Sequence, residues 1–168
     1  RIALMKKPRL STLKSLFARS LNRCAYPGCP CPIAEPCGTV TGEVCHIKAD
    51  SPGGPRYDRQ QTSEDRHSEN NLLLLCGRHH TMIDADPEKF PVDVLMQMKR
   101  DHQASGTPVI TPDVERIAQA LLQRYEFRIS IRSNNGVIAI ASPNAQIHQT
   151  IHIKTAAKKP TIKIEPPT

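Results

Sequence analysis

The apolar positions fall into a helical pattern first: Leu10, Leu13, Leu16, Phe17 and Leu21 recur at a spacing that predicts a short amphipathic helix leading into Cys24, with Ser11 or Thr12 as its cap. From Cys24 to about Asp58 the chain is dense in Cys, Pro and Gly, and one strand-like run, Thr41–Ile47, interrupts two irregular loops. Residues 59–70 are polar and charged and predict a surface loop. Leu72 to Leu75 then form a brief apolar run that ends at Cys76, and Gly77–Ala85 suits a helix. Val94, Leu95 and Met98 share one face of a further predicted helix over residues 91–103.

Ser105-Gly106-Thr107-Pro108 breaks this pattern, which places a domain boundary between a first domain, 1–104, and a remainder, 105–168. Thr111 and Pro112 are an N-cap and first-turn pair for a docking helix whose stripe is Val114, Ile117, Ala118, Leu121, Leu122 and Tyr125. Phe127, Ile129 and Ile131 alternate as a strand would. Asn134-Asn135-Gly136 follows as a turn, then Ile138 and Ile140, then Ile147, Ile151 and Ile153. The expected fold is therefore α+β, with a small helix and an antiparallel β tail after the first domain. His148 and His152, beside Thr150 and Lys154, read as the polar face of a tail strand rather than as a site.

Composition changes this picture in two ways. An apolar fraction of 38%, no Trp, three Phe and three Tyr leave little material for a conventional core, so something besides hydrophobic burial is expected to hold the fold. Lysine and arginine total 23 against 16 acidic residues, a net charge of +7 that suits a polyanionic partner. No stretch approaches the roughly 18 apolar residues of a membrane span, and the N-terminal residues lack the apolar region of a secretory signal. A cytoplasmic protein is expected, in which six cysteines are better read as metal ligands than as disulfides. The chain begins without Met and ends in Pro-Pro-Thr, which is compatible with its being part of a longer polypeptide.

Cys24 and Cys29 make a C-x4-C knuckle, and Cys76 and His79 a C-x2-H knuckle. Together they can close a tetrahedral zinc site, which can supply folding free energy of roughly 10 kcal/mol. Cys31 or Cys37 could replace Cys29. His80 and Asp84, four residues apart on one predicted helix face, suit a divalent ion with open water positions, such as Mg²⁺ or Mn²⁺.

Several elements occur together in order: C-x-x-P-x-C at Cys24, G-x-x-C-H-I at Gly42, S-P-G-G-P-R-Y-D at Ser51, N-L-L-L-L-C-x-x-H-H-x-x-I-D at Asn71, and K-x-x-H closing at His102. The run from about Leu10 to His102 thereby resembles the bacterial His-Asn-His (HNH) endonucleases. That resemblance implies a ββα-metal fold with a structural zinc. It also implies His46 as general base, Asn71 orienting that His through backbone contacts, and His80 with Asp84 holding a catalytic metal. Cys45 stands where a metal-ligating Asp or His is common, so it is either a packing residue or a ligand for an ion softer than Mg²⁺. Arg56 and Arg78, the basic residues nearest the motif, are candidate phosphate contacts. His102 reads as a helix-end residue, and Tyr57 as a stacking or packing one.

The expected function is metal-dependent hydrolysis of DNA phosphodiesters, without marked sequence specificity because no separate base-reading helix is evident. The resemblance further suggests the effector of a bacterial antiphage defence system, and the short strands expected in the tail could engage a partner or pair edge to edge with copies of themselves. The competing class is a non-catalytic zinc-stabilised module that binds nucleic acid or protein.

Overall fold

A computed structural model describes the backbone of residues 7–133. The chain divides into two compact units, Arg1–Arg128 and Ile129–Thr168. The first unit runs past the breaker at 105–108 and includes most of the last helix. The expected turn at Asn134-Asn135-Gly136, the strands after it, and His148 and His152 lie outside the described residues.

The described elements are α1 (Leu10–Ser20), β1 (Gly42–His46), α2 (Ser63–Arg66), a 3-10 turn (Glu69–Asn71), β2 (Leu72–Cys76), α3 (Gly77–Ala85), α4 (Val92–Gln103) and α5 (Pro112–Ser133). The fold is α+β, with an antiparallel strand pair beside a cluster of metal-binding side chains, broadly consistent with a ββα arrangement. β1 and β2 pair in the register Gly42 with Cys76 through His46 with Leu72. α3 begins directly where β2 ends.

β2 shows why its sequence is a run of leucines rather than an alternation: Leu72, Leu73, Leu74 and Leu75 are all buried, because both faces of the pair are covered. Leu73 and Leu75 join Cys45, Ile47, Ile83, Phe90, Leu95 and Met98 in one apolar cluster. α1 packs against the same strand and buries Leu13, Leu16 and Phe17.

Four expectations are corrected. α1 starts at Leu10 with Arg9 at its N-cap, so Ser11 and Thr12 lie inside the helix rather than capping it. Val94 is exposed, whereas Leu95 and Met98 are buried. The predicted surface loop over 59–70 contains α2 and the 3-10 turn, and its Arg66 is buried, donating to the carbonyls of Ala49, Asp58 and Gln61. Finally, Phe127, Ile129 and Ile131 are not a strand but belong to α5, a helix of 22 residues. Its stripe buries Ile117, Ala118, Leu121 and Tyr125, and that helical period outweighs three alternating positions at its end.

Candidate functional site

The first cluster is built where three elements end or begin: after α1, at the end of β2 and at the start of α3. Cys24 follows α1, whose exit passes through left-handed Leu21 and Asn22. The knuckle then turns at Gly28, with φ of 74°, and Cys29 N–H closes on the Tyr26 carbonyl at 3.0 Å. Ala25 N–H donates to the Leu74 carbonyl at 2.9 Å, which fastens the knuckle to β2. Cys76 ends that strand, and His79 sits one turn into α3. The donor atoms of Cys24, Cys29, Cys76 and His79 lie within 4.8 Å of one another. His79 Nδ1 is 3.6 Å from Cys24 Sγ and 3.2 Å from Cys76 Sγ. A tetrahedral zinc with bonds of about 2.0–2.3 Å needs donor separations of just this order, so the group fits that ion. Tyr26 stacks on the His79 ring at 4.0 Å and 8° and holds its plane. Burial pushes the Cys24 thiol up to about 12, a cost that a bound cation offsets by stabilising the thiolate. Cys31 and Cys37 are exposed and lie outside the group.

The second cluster is Cys45, His80 and Asp84, whose donor atoms also lie within 4.8 Å of one another. His80 Nε2 faces Asp84 Oδ2 at 3.3 Å. Its Nδ1 is 2.7 Å from Glu43 Oε2, a partner the sequence reading missed. Glu43 precedes Cys45 by two positions on β1, so the strand period puts both on one face. The Glu43 carboxylate also receives Arg124 at 3.3 Å and Arg128, both from α5. Burial works against ionisation of Glu43, yet His80 and Arg128 carry it down to about 2. Burial likewise disfavours the His80 imidazolium, but the acceptors Asp84, Cys45 and Glu43 raise it to about 11. The three donor atoms are close enough to share one divalent cation, with Nε2 of His80 as the ligand once its proton leaves and the Nδ1 proton donated to Glu43.

Arg56 is placed to brace this cluster. Its side chain is 4% exposed, and it donates to the Ile47 carbonyl at 2.7 Å, the Ile83 carbonyl at 3.1 Å and Asp84 Oδ1 at 2.7 Å. Asp84 is lowered by His80 and Arg56 against the opposing effect of burial, and its Oδ2 is left towards His80. Arg56 has a φ of 58°, an uncommon conformation for a residue with a side chain.

His46 closes β1. Burial first, with the charges of His67 and His80, lowers it to about 4 against the opposing pull of Asp50 and Asp84, so the ring is neutral at neutral pH. Asn71 ties down the backbone just after it: Oδ1 accepts from Lys48 N–H, Nδ2 donates to the carbonyls of Lys48 and Arg66, and the Asn71 carbonyl accepts from Ile47 N–H at 2.8 Å. The ring itself meets His67, with Nε2 3.3 Å from Nδ1, and Tyr125 of α5, centroid to centroid 5.8 Å. Neither contact was legible in the sequence. His67 is brought in by the fold of a loop, and Tyr125 by the docking of a distant helix.

Of the remaining candidates, Arg78 is exposed on α3. Tyr57 lies under the Arg66 guanidinium at 4.4 Å. His102 ends α4, half-buried and lowered chiefly by burial.

No curated protein matches the chain. Residues 24–86 match the HNH endonuclease family, a stretch that holds both clusters, His46 and Asn71 and ends before α4 and α5. With its Cys/His metal-binding cluster, this stretch is consistent with a domain of the HNH endonuclease superfamily at a coarse level.

Proposed function

We propose that the domain is a metal-dependent endonuclease that hydrolyses DNA phosphodiesters, with His46 as general base. The observation that carries this reading is geometric: the donor atoms of Cys45, His80 and Asp84 lie within 4.8 Å of one another, and His46 directly follows Cys45 at the end of β1. His46 accepts a proton from the attacking water as the water oxygen bonds to phosphorus and the bond to the leaving oxygen breaks. Asn71 holds the strand end that carries this ring. His80 and Asp84, with Cys45, would hold the ion, which when bound stabilises charge on the phosphate and the leaving oxygen. Nitrogen, oxygen and sulfur donors together favour an ion that tolerates thiolate, whereas Mg²⁺ or Mn²⁺ would rest on His80, Asp84 and water. Arg78 is the exposed candidate for a flanking phosphate, and Arg56 acts as a brace for Asp84. The structural zinc belongs at Cys24, Cys29, Cys76 and His79.

The net charge of +7 supports a DNA partner through its phosphates. A role in antiphage defence rests on the family resemblance and not on a residue of the site. The test compares the chain with His46→Ala at matched zinc content, on plasmid DNA with Mg²⁺, Mn²⁺, Zn²⁺ or no added ion. Ion-dependent nicking that falls by roughly 10²–10⁴-fold in the variant is expected. Equal cutting by both would remove His46 as the base. Binding without cutting by either would favour a non-catalytic module.

A further inference from the structure

The hydrogen bonds of Asn71 go to the backbone, among them the residues that follow His46, whereas the His46 ring nitrogen Nε2 meets His67. Two side chains flank the His46 ring among the described residues. His67 meets it edge-on, centroids 5.3 Å apart at 75°, and Tyr125, whose hydroxyl is 3.4 Å from Asp50 Oδ2, lies on another side. His67 is itself well held. It caps α2, with its N–H on the Glu64 carbonyl at 3.2 Å, and its neighbour Arg66 is anchored on three carbonyls.

A neutral imidazole has one N–H and one lone pair, and the bond at one nitrogen decides which the other carries. The 3.3 Å contact between His46 Nε2 and His67 Nδ1 needs one proton between them. If His67 donated it, the bond would consume the only lone pair of His46, and no basic nitrogen would remain for water. If His46 donates it, Nδ1 keeps its lone pair.

We propose that His67 is a positioning residue that fixes His46 as its Nε2–H tautomer and makes Nδ1 the basic atom. This rests on the reading of His46 as general base. On proton transfer the water proton goes to Nδ1. The imidazolium so formed keeps its Nε2–H on His67, in a hydrogen bond that charge strengthens.

The experiment uses the full chain and two variants, His67→Gln, which keeps an acceptor, and His67→Phe, which keeps a ring without one. Long-range proton–nitrogen correlation of the histidine rings reads the tautomer directly, whether or not the protein cuts. The parent and His67→Gln should show His46 protonated at Nε2, and His67→Phe should show a mixture. In cleavage assays His67→Phe should lose about a hundredfold in kcat at unchanged KM, with partial recovery in His67→Gln. A parent His46 protonated at Nδ1, or a tautomer indifferent to His67→Phe, would overturn the proposal. A parent that shows the expected tautomer but cuts no DNA would instead overturn the nuclease reading while leaving the His67 assignment standing.

Discussion

Glu43 shows how much of the second cluster is set by one side chain that is not itself among its donors. With its side chain 11% exposed and the His80 side chain 12%, their 2.7 Å contact is shielded from water, and it orients the imidazole so that Nε2 is presented beside Asp84. Replacing Glu43 by Gln keeps an acceptor but removes the charge that increases the basicity of His80. Affinity for a divalent ion at this cluster should fall by about 10–100-fold while the zinc content of the Cys24 group is unchanged. Calorimetric titration of Mn²⁺ or Zn²⁺ into protein already carrying one zinc equivalent checks this, and an unchanged affinity would mean that Glu43 only packs. Residue identity alone could have suggested Glu43, since it shares a strand face with Cys45. Arg56 is a different case. Its charge and its place near the motif suggested a phosphate contact, but proximity in sequence says nothing about which way a guanidinium turns. That depended on a left-handed backbone at Arg56 and on carbonyls at Ile47 and Ile83.

At the level of elements, the sequence reading located β1, β2, α3 and α4 because each carries a clear period or a compact apolar run. It failed at ends and in loops. The start of α1 and the Thr62-capped α2 depend on capping geometry, and the apparent strand at 127–131 was three alternating apolar residues read apart from the longer helical stripe before them. Packing between elements is also set by Lys99, which no pattern signalled. From α4 it reaches the carbonyls of Glu69 and Leu72, both at 2.8 Å, and ties the 3-10 turn and the start of β2 to the helix. Burial lowers its ammonium to about 8, despite Glu69 and with help from Arg19. Below that pH the folded protein carries a buried charge at a cost. As pH rises through about 8 towards the ordinary lysine value, the folded state has released the proton while the unfolded chain still holds it, so stability increases. Between pH 7 and 10 the gain from this group is roughly 2 kcal/mol. Urea unfolding of the parent should show that rise and Lys99→Met should lack it; parallel pH profiles would sink the assignment.

Among the described residues the core is modest, and the Cys24 cluster joins the exit of α1, the end of β2 and the start of α3 at one point. A chelator that strips this cluster should therefore abolish cooperative thermal unfolding, since structural zinc contributes on the order of 10 kcal/mol. Cys29→Ser should give the same result without a chelator, whereas Cys31→Ser should retain one zinc equivalent by elemental analysis and a near-parental Tm. Loss of zinc in Cys31→Ser instead would exchange the two ligands. No helix among the described residues is long and apolar enough to cross a membrane. The family match stops at residue 86, yet Arg124 and Arg128 neutralise Glu43, and Tyr125 flanks His46. The second cluster and His46 thus draw on side chains from beyond the matched stretch. Recombination or engineering that grafts residues 24–86 into another host would deliver a Glu43 carboxylate paired with His80 but without its two arginines, and a His46 imidazole without its Tyr125 neighbour, so α5 should travel with the graft.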